Sequence, residues 1–125
     1  MSTTPLPSGI NLTVLVGHLS RPPELRLLPS GDSVLTLELT VRAEGAPTDS
    51  VPVAWFEPPP HAAGWEVGEE LLVTGRTRRR FFRAGGVTQS RTEVVAVTAT
   101  PTRRAAAARK ALRAAIDPVH AAGLD

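Results

Sequence analysis

The chain has 125 residues, of which 42% are hydrophobic and 21% charged, which is enough for one globular domain with a single core and does not describe a disordered protein. It has no Cys, excluding disulfides and thiolate chemistry, and its three His (His18, His61 and His120) share no ligand-like spacing, so no metal or other cofactor is expected. Net charge is only +2, no apolar run approaches the roughly 18–20 residues of a membrane span, and Met1 to Ile10 lacks the basic and apolar regions of a signal peptide, so the expected setting is the cytoplasm without a membrane partner.

Residues 1–9 read as a flexible N-terminal segment. Asn11 to Leu19, dominated by Leu and Val, predicts a first strand, with Gly17 a bulge or close-approach site. After Pro22-Pro23 comes a short extended piece, Leu25 to Leu28, and then a turn at Pro29-Ser30-Gly31-Asp32. Ser33 to Arg42 alternates as a half-buried strand, with Leu35, Leu37, Leu39 and Val41 on one side and Val34, Thr36, Glu38, Thr40 and Arg42 on the other. A polar loop leads to a strand over Ser50 to Phe56, in which Pro52 suggests an edge or a bulge. Glu57 to Val67 carries Pro58-Pro59-Pro60 and predicts a connector without a helix, pinned to the body by Trp65. Glu70 to Phe82 and Val87 to Thr100 are two further strands joined through Gly85-Gly86, and Pro101 ends the sheet. Five strands with closely spaced turn signals and no helices between them predict an all-β, nearly closed barrel over residues 10–102. Residues 103–125 form a basic, Ala-rich and partly helical tail.

Charge is unevenly placed along this order. Residues 44–70 hold six acids and no Lys or Arg; residues 71–92 hold six Arg and no acid. The tail from Arg103 carries +3, leaving −1 on residues 1–102. Period-two alternation puts Arg76, Arg78, Arg80 and Phe82 on one face of the predicted hairpin. Guanidinium groups beside a flat ring suit a flexible polyanion with stackable bases: charge attracts phosphates, and a ring accepts any base. The competing reading is a solvated cationic hairpin with ordinary aromatic packing. Enzymatic readings lack parts, since there is no Gly-rich phosphate loop, no paired carboxylates in a catalytic setting and no Cys or His nucleophile system. No enzyme is expected.

Three stretches carry a resemblance: Leu15-Val16-Gly17-His18-Leu19; Pro23-Glu24-Leu25-Arg26 with Pro29-Ser30-Gly31; and Gly75 to Phe82 with Thr92-Glu93-Val94-Val95. In this order and spacing, over Ile10 to Thr100, the chain resembles the bacterial single-stranded DNA-binding proteins of the OB-fold type, as a short divergent member. The resemblance implies a five-stranded OB barrel with long hairpins and a short C-terminal helical tail. It also implies sequence-independent binding and protection of single-stranded DNA in replication, recombination or repair, in the cytoplasm and associated with the nucleoid. It places Phe82 at a stacking position on the basic hairpin, with Arg76, Arg78 and Arg80 beside it and Arg83 next in line. A second stacking position falls on Trp55 or Phe56, with Trp55 favoured because it shares parity with Val51 and Val53. Arg26 is a candidate phosphate contact. Self-association is expected, a tetramer before a dimer. The family's acidic C-terminal tip has no counterpart here, which argues against recruitment of replication or repair enzymes. It also keeps open an alternative, a trimmed OB-fold paralogue acting mainly as a protein- or RNA-interaction module.

Overall fold

The structure is a computed structural model that describes the backbone of residues 8–121 and side chains as far as Asp117. Most of the expected flexible segment 1–9, namely residues 1–7, and the end of the tail, residues 122–125, lie outside the described residues. The elements in chain order are β1 (Thr13–Leu19), β2 (Glu24–Leu27), β3 (Ser33–Val41), β4 (Asp49–Phe56), a 3-10 turn (Pro60–Gly64), β5 (Glu70–Ala84), β6 (Val87–Pro101) and α1 (Ala105–Ala121).

Five strands close a ring in the order β1-β5-β6-β4-β3, with β3 returning to β1. All neighbours are antiparallel except β4 and β6, which run parallel through Val53↔Val94 and Ala54↔Val95. The short piece after Pro22-Pro23 is a sixth strand: β2 pairs with β3 from Glu24↔Thr36 to Leu27↔Ser33 and extends the sheet outside the ring. Its turn is held by the Leu28 amide on the Asp32 carbonyl at 2.8 Å, with Gly31 at φ +91, a conformation that disfavours a side chain. Closure between β1 and β3 depends on Gly17, where a Cβ would stand 2.8 Å from the Thr40 carbonyl oxygen. Asn11 continues the β1–β5 ladder past the strand end, its side-chain amide donating to the Thr77 carbonyl at 2.6 Å and its Oδ1 accepting from the Thr77 amide at 3.1 Å.

The interior follows the alternation in the sequence. Leu35, Leu37 and Leu39 of β3 are fully buried together with Leu19, Val53, Leu71 and Val73, each contributing about 1.5–3 kcal/mol by leaving water. The proline connector departs from expectation by forming one 3-10 turn, which inserts Ala62 and Trp65 into this core. Pro60 can open such a turn because the missing amide hydrogen would have no partner there. Trp65 stacks on Trp55 with centroids 6.0 Å apart and planes at 20°. Outside the ring, α1 packs on β5 and β6, starting at Ala105 and running past Ile116. Its alanines allow a close approach that buries Ala108, and Thr74, also buried, satisfies its hydroxyl on Thr98 at 2.7 Å.

Candidate nucleic-acid interface

β5 and β6 extend well beyond the ring as a hairpin whose register is fixed by the Gly85-Gly86 turn, both glycines having positive φ. Ala84 opposes Val87, so Phe82 opposes Gln89, Arg80 opposes Arg91 and Arg78 opposes Glu93. One face of this hairpin is continuous with the outer wall of the barrel. A groove of about 190 Å3 lies there, floored by Val34, Thr36, Ala54 and Phe56 and walled by Arg26, Arg78, Arg80, Arg91 and Glu93.

Phe56 is the exposed ring of this groove. It opposes Val34 in the β3–β4 ladder, and the Arg78 guanidinium stands over it, 5.4 Å from the ring centroid. The preference for Trp55 is overturned. Trp55 does share its side of β4 with Val51 and Val53, but that side is the core: Trp55 is 9% exposed, opposes the fully buried Leu35 and stacks on Trp65. A strand side rich in Val faces inward because burial of those side chains is what stabilises the barrel. The opposite side, Ser50, Pro52, Ala54 and Phe56, is left for the groove.

The expected residues fall into a centre and two ends. At the centre, Arg78 and Arg80 flank Glu93, and Arg26 reaches the groove from β2 opposite Val34. Phe82 is partly buried, with the Arg80 guanidinium 5.3 Å from its centroid. At the tip, Arg83 folds back so that Nη2 donates to the Gly86 carbonyl at 3.0 Å. At the base, Arg76 is exposed but lies apart from the groove, lining a second depression with Leu12, Val97 and Ala111 of α1. The reverse face of the hairpin carries its own pair, Arg79 over Phe81 at 5.3 Å, with Phe81 65% exposed.

Two groove residues were missed in the sequence. Glu93 is only 6% exposed, and its Oε2 accepts from Arg78 Nε at 3.0 Å and Nη2 at 2.7 Å while Oε1 lies 3.5 Å from Arg80 Nε. Arg91 stands opposite Arg80 and reaches Glu38 of β3 at 3.8 Å. A two-residue turn at Gly85-Gly86 sets both pairings, so counting back from it would have revealed them. Glu93 and Glu38 offset part of the repulsion that directly opposed like charges produce. Among the described residues, no group of three or more His, Asp or Glu could hold a metal ion, and no helix is long and apolar enough to cross a membrane.

No family model and no curated protein matches the chain. Among solved structures it is similar to the wild-type single-stranded DNA binding protein from Thermus aquaticus, with 29% identity and a TM-score of 0.61 over 74% of this chain. The match covers 40% of that protein's chain. The ring, the parallel β4–β6 pair and this likeness show an OB-fold of the kind found in that protein.

Proposed function

We propose that this OB barrel binds and protects single-stranded DNA without sequence preference, laying the strand over the groove and the exposed hairpin, in the service of replication, recombination or repair. The observation that carries the reading is the composition of one outer face: the rings of Phe56 and Phe82 interleaved with Arg26, Arg78, Arg80 and Arg91. Rings accept bases of any identity, and the surrounding cations attract phosphates. A small groove of about 190 Å3 with rings at its floor and edge suits a single strand whose bases are free to stack. The likeness to a single-stranded DNA binding protein supports the same reading. Arg76, at the base of the hairpin, and Arg83, at its tip, lie outside the groove and would make peripheral phosphate contacts. We assign the protein to the cytoplasm, associated with the nucleoid, and assign it no catalytic step.

Assembly belongs to this proposal. Val14 and Val16 share one side of β1, Ile10 and Leu12 lie just before it, and the four are 38%, 49%, 46% and 40% exposed, a run of apolar side chains that self-association would cover. A homo-oligomer, a tetramer before a dimer, is expected by light scattering at micromolar concentration, and a monomer mass contradicts it. The binding experiment is a fluorescence-anisotropy titration of end-labelled oligo-dT, with a duplex of equal length as competitor, over a series of salt concentrations. Preferential binding of the single strand, with log affinity falling by about 0.7 per phosphate contact for each unit of log salt, supports the reading. Equal affinity for duplex and single strand at moderate salt sinks it and returns attention to a protein- or RNA-interaction module.

A further inference from the structure

The arginines at the centre of the groove are not free cations, because an acid is buried between them. Resting on the single-strand reading above, we propose that Glu93 is a positioning residue that commits Arg78 to base stacking over Phe56 and leaves phosphate contact to Arg26 and Arg91. Glu93 is 6% exposed, and a carboxylate so placed must keep its partners, since removal of one strands a buried charge. Its Oε2 accepts two hydrogen bonds from Arg78, at 3.0 and 2.7 Å, which hold the guanidinium along its Nε edge. A guanidinium held in this way cannot turn that edge to a phosphate without uncovering Glu93. The Arg78 side chain is 29% exposed, and Arg side chains stack with bases as aromatic rings do.

The two Arg–Phe contacts on this face differ in origin. Arg80 and Phe82 are two apart on one strand, and the same spacing brings Arg79 over Phe81 on the reverse face, where Arg79 bonds Ser90 and no acid. Strand geometry alone therefore gives that contact. Arg78 reaches Phe56 from β5 across β6 to β4, and sequence spacing does not bring them together. Glu93, on the intervening strand, aims it. Were the Nε edge of Arg78 a phosphate clamp, the phosphate would have to displace this carboxylate, and the acid would work against the site it sits in.

The test titrates the full chain with labelled oligo-dT and with an abasic deoxyribose-phosphate oligomer of equal length, over a salt series. In Glu93→Gln the freed arginines should gain one or two phosphate contacts, steepening the salt slope by about 0.7 to 1.4, while the preference for dT over the abasic strand falls about fivefold or more. Arg78→Lys, which keeps the charge and loses the plane, should lose the same preference with its salt slope unchanged. A role confined to folding would lower the melting temperature of Glu93→Gln and leave preference and slope at wild-type values in the folded protein, overturning the proposal. If Glu93→Gln does not fold, Arg78→Lys decides alone, and wild-type preference in that variant overturns it. Failure of the wild-type protein to bind either oligomer is a different result, and removes the single-strand reading together with this one.

Discussion

β5 and β6 lie side by side from the barrel to the hairpin tip, yet their two halves obey different rules. From Leu71 to Gly75 every residue of β5 is buried; from Arg76 to Ala84 none is. The first half has Ala96 and Ala99 opposite it and α1 against its outer side, whereas the second half holds itself together by cross-strand polar contacts and by Arg–Phe pairs on both faces. The boundary is Gly75, where the register with β6 shifts and a Cβ would overlap the Val95 carbonyl oxygen. On the single-strand reading, one pair of strands thus separates stability from recognition along its length. Substitutions should respect that boundary.

The largest effect is expected deep in the barrel. Trp65→Ala empties the site against Trp55 and should cost about 3–5 kcal/mol of stability, read as a lower denaturation midpoint, while the folded fraction binds oligo-dT as before. Gly75→Ala tests the boundary itself. Because strand backbone and not a flexible side chain blocks the new methyl group, stability should fall by about 1–3 kcal/mol, and an unchanged midpoint would show that the two halves are less distinct than the register shift implies. Beyond the boundary the pattern should reverse. Phe82→Ala is expected to weaken oligo-dT binding by about 1–3 kcal/mol with nearly unaltered salt slope and melting temperature, so a variant that loses stability and not affinity would place Phe82 with the core. The smallest effect belongs to Arg26→Ala and Arg91→Ala. Each should flatten the salt slope by about 0.7 and shift stability by no more than about 0.5 kcal/mol.

Much of the barrel half was legible in the residues. Alternation in Ser33 to Arg42 gave the correct inward set at Leu35, Leu37 and Leu39, and the paired glycines gave the long hairpin. β2 was read as an extended piece because four exposed residues carry no alternation of burial; only its pairing partner makes it a strand. Inside the candidate site the outcome was more mixed. Parity on β4 was correct, but parity alone does not say which side is inside, and the weight given to Trp55 reversed the answer that Val51 and Val53 supply. Counting arginines over residues 71–92 stopped one residue short of Glu93, so the cationic face looked uncompensated. Arg78's reach to Phe56 spans three strands, and that kind of proximity is set by how the sheet curls, which no local pattern records.

The stacked pair Trp55 and Trp65 has an optical consequence. Both indoles are buried, at 9% and 8% exposure, and there is no Tyr in the chain. Near-ultraviolet emission therefore comes from chromophores shielded from solvent, and it should shift to the red when the barrel opens. A strand lying on Phe56 and Phe82 touches neither indole, so saturation with unlabelled DNA should leave the emission maximum in place. Intrinsic fluorescence then reports folding, and a dye on the oligonucleotide reports occupancy. The two signals can be followed in one cuvette without cross-talk.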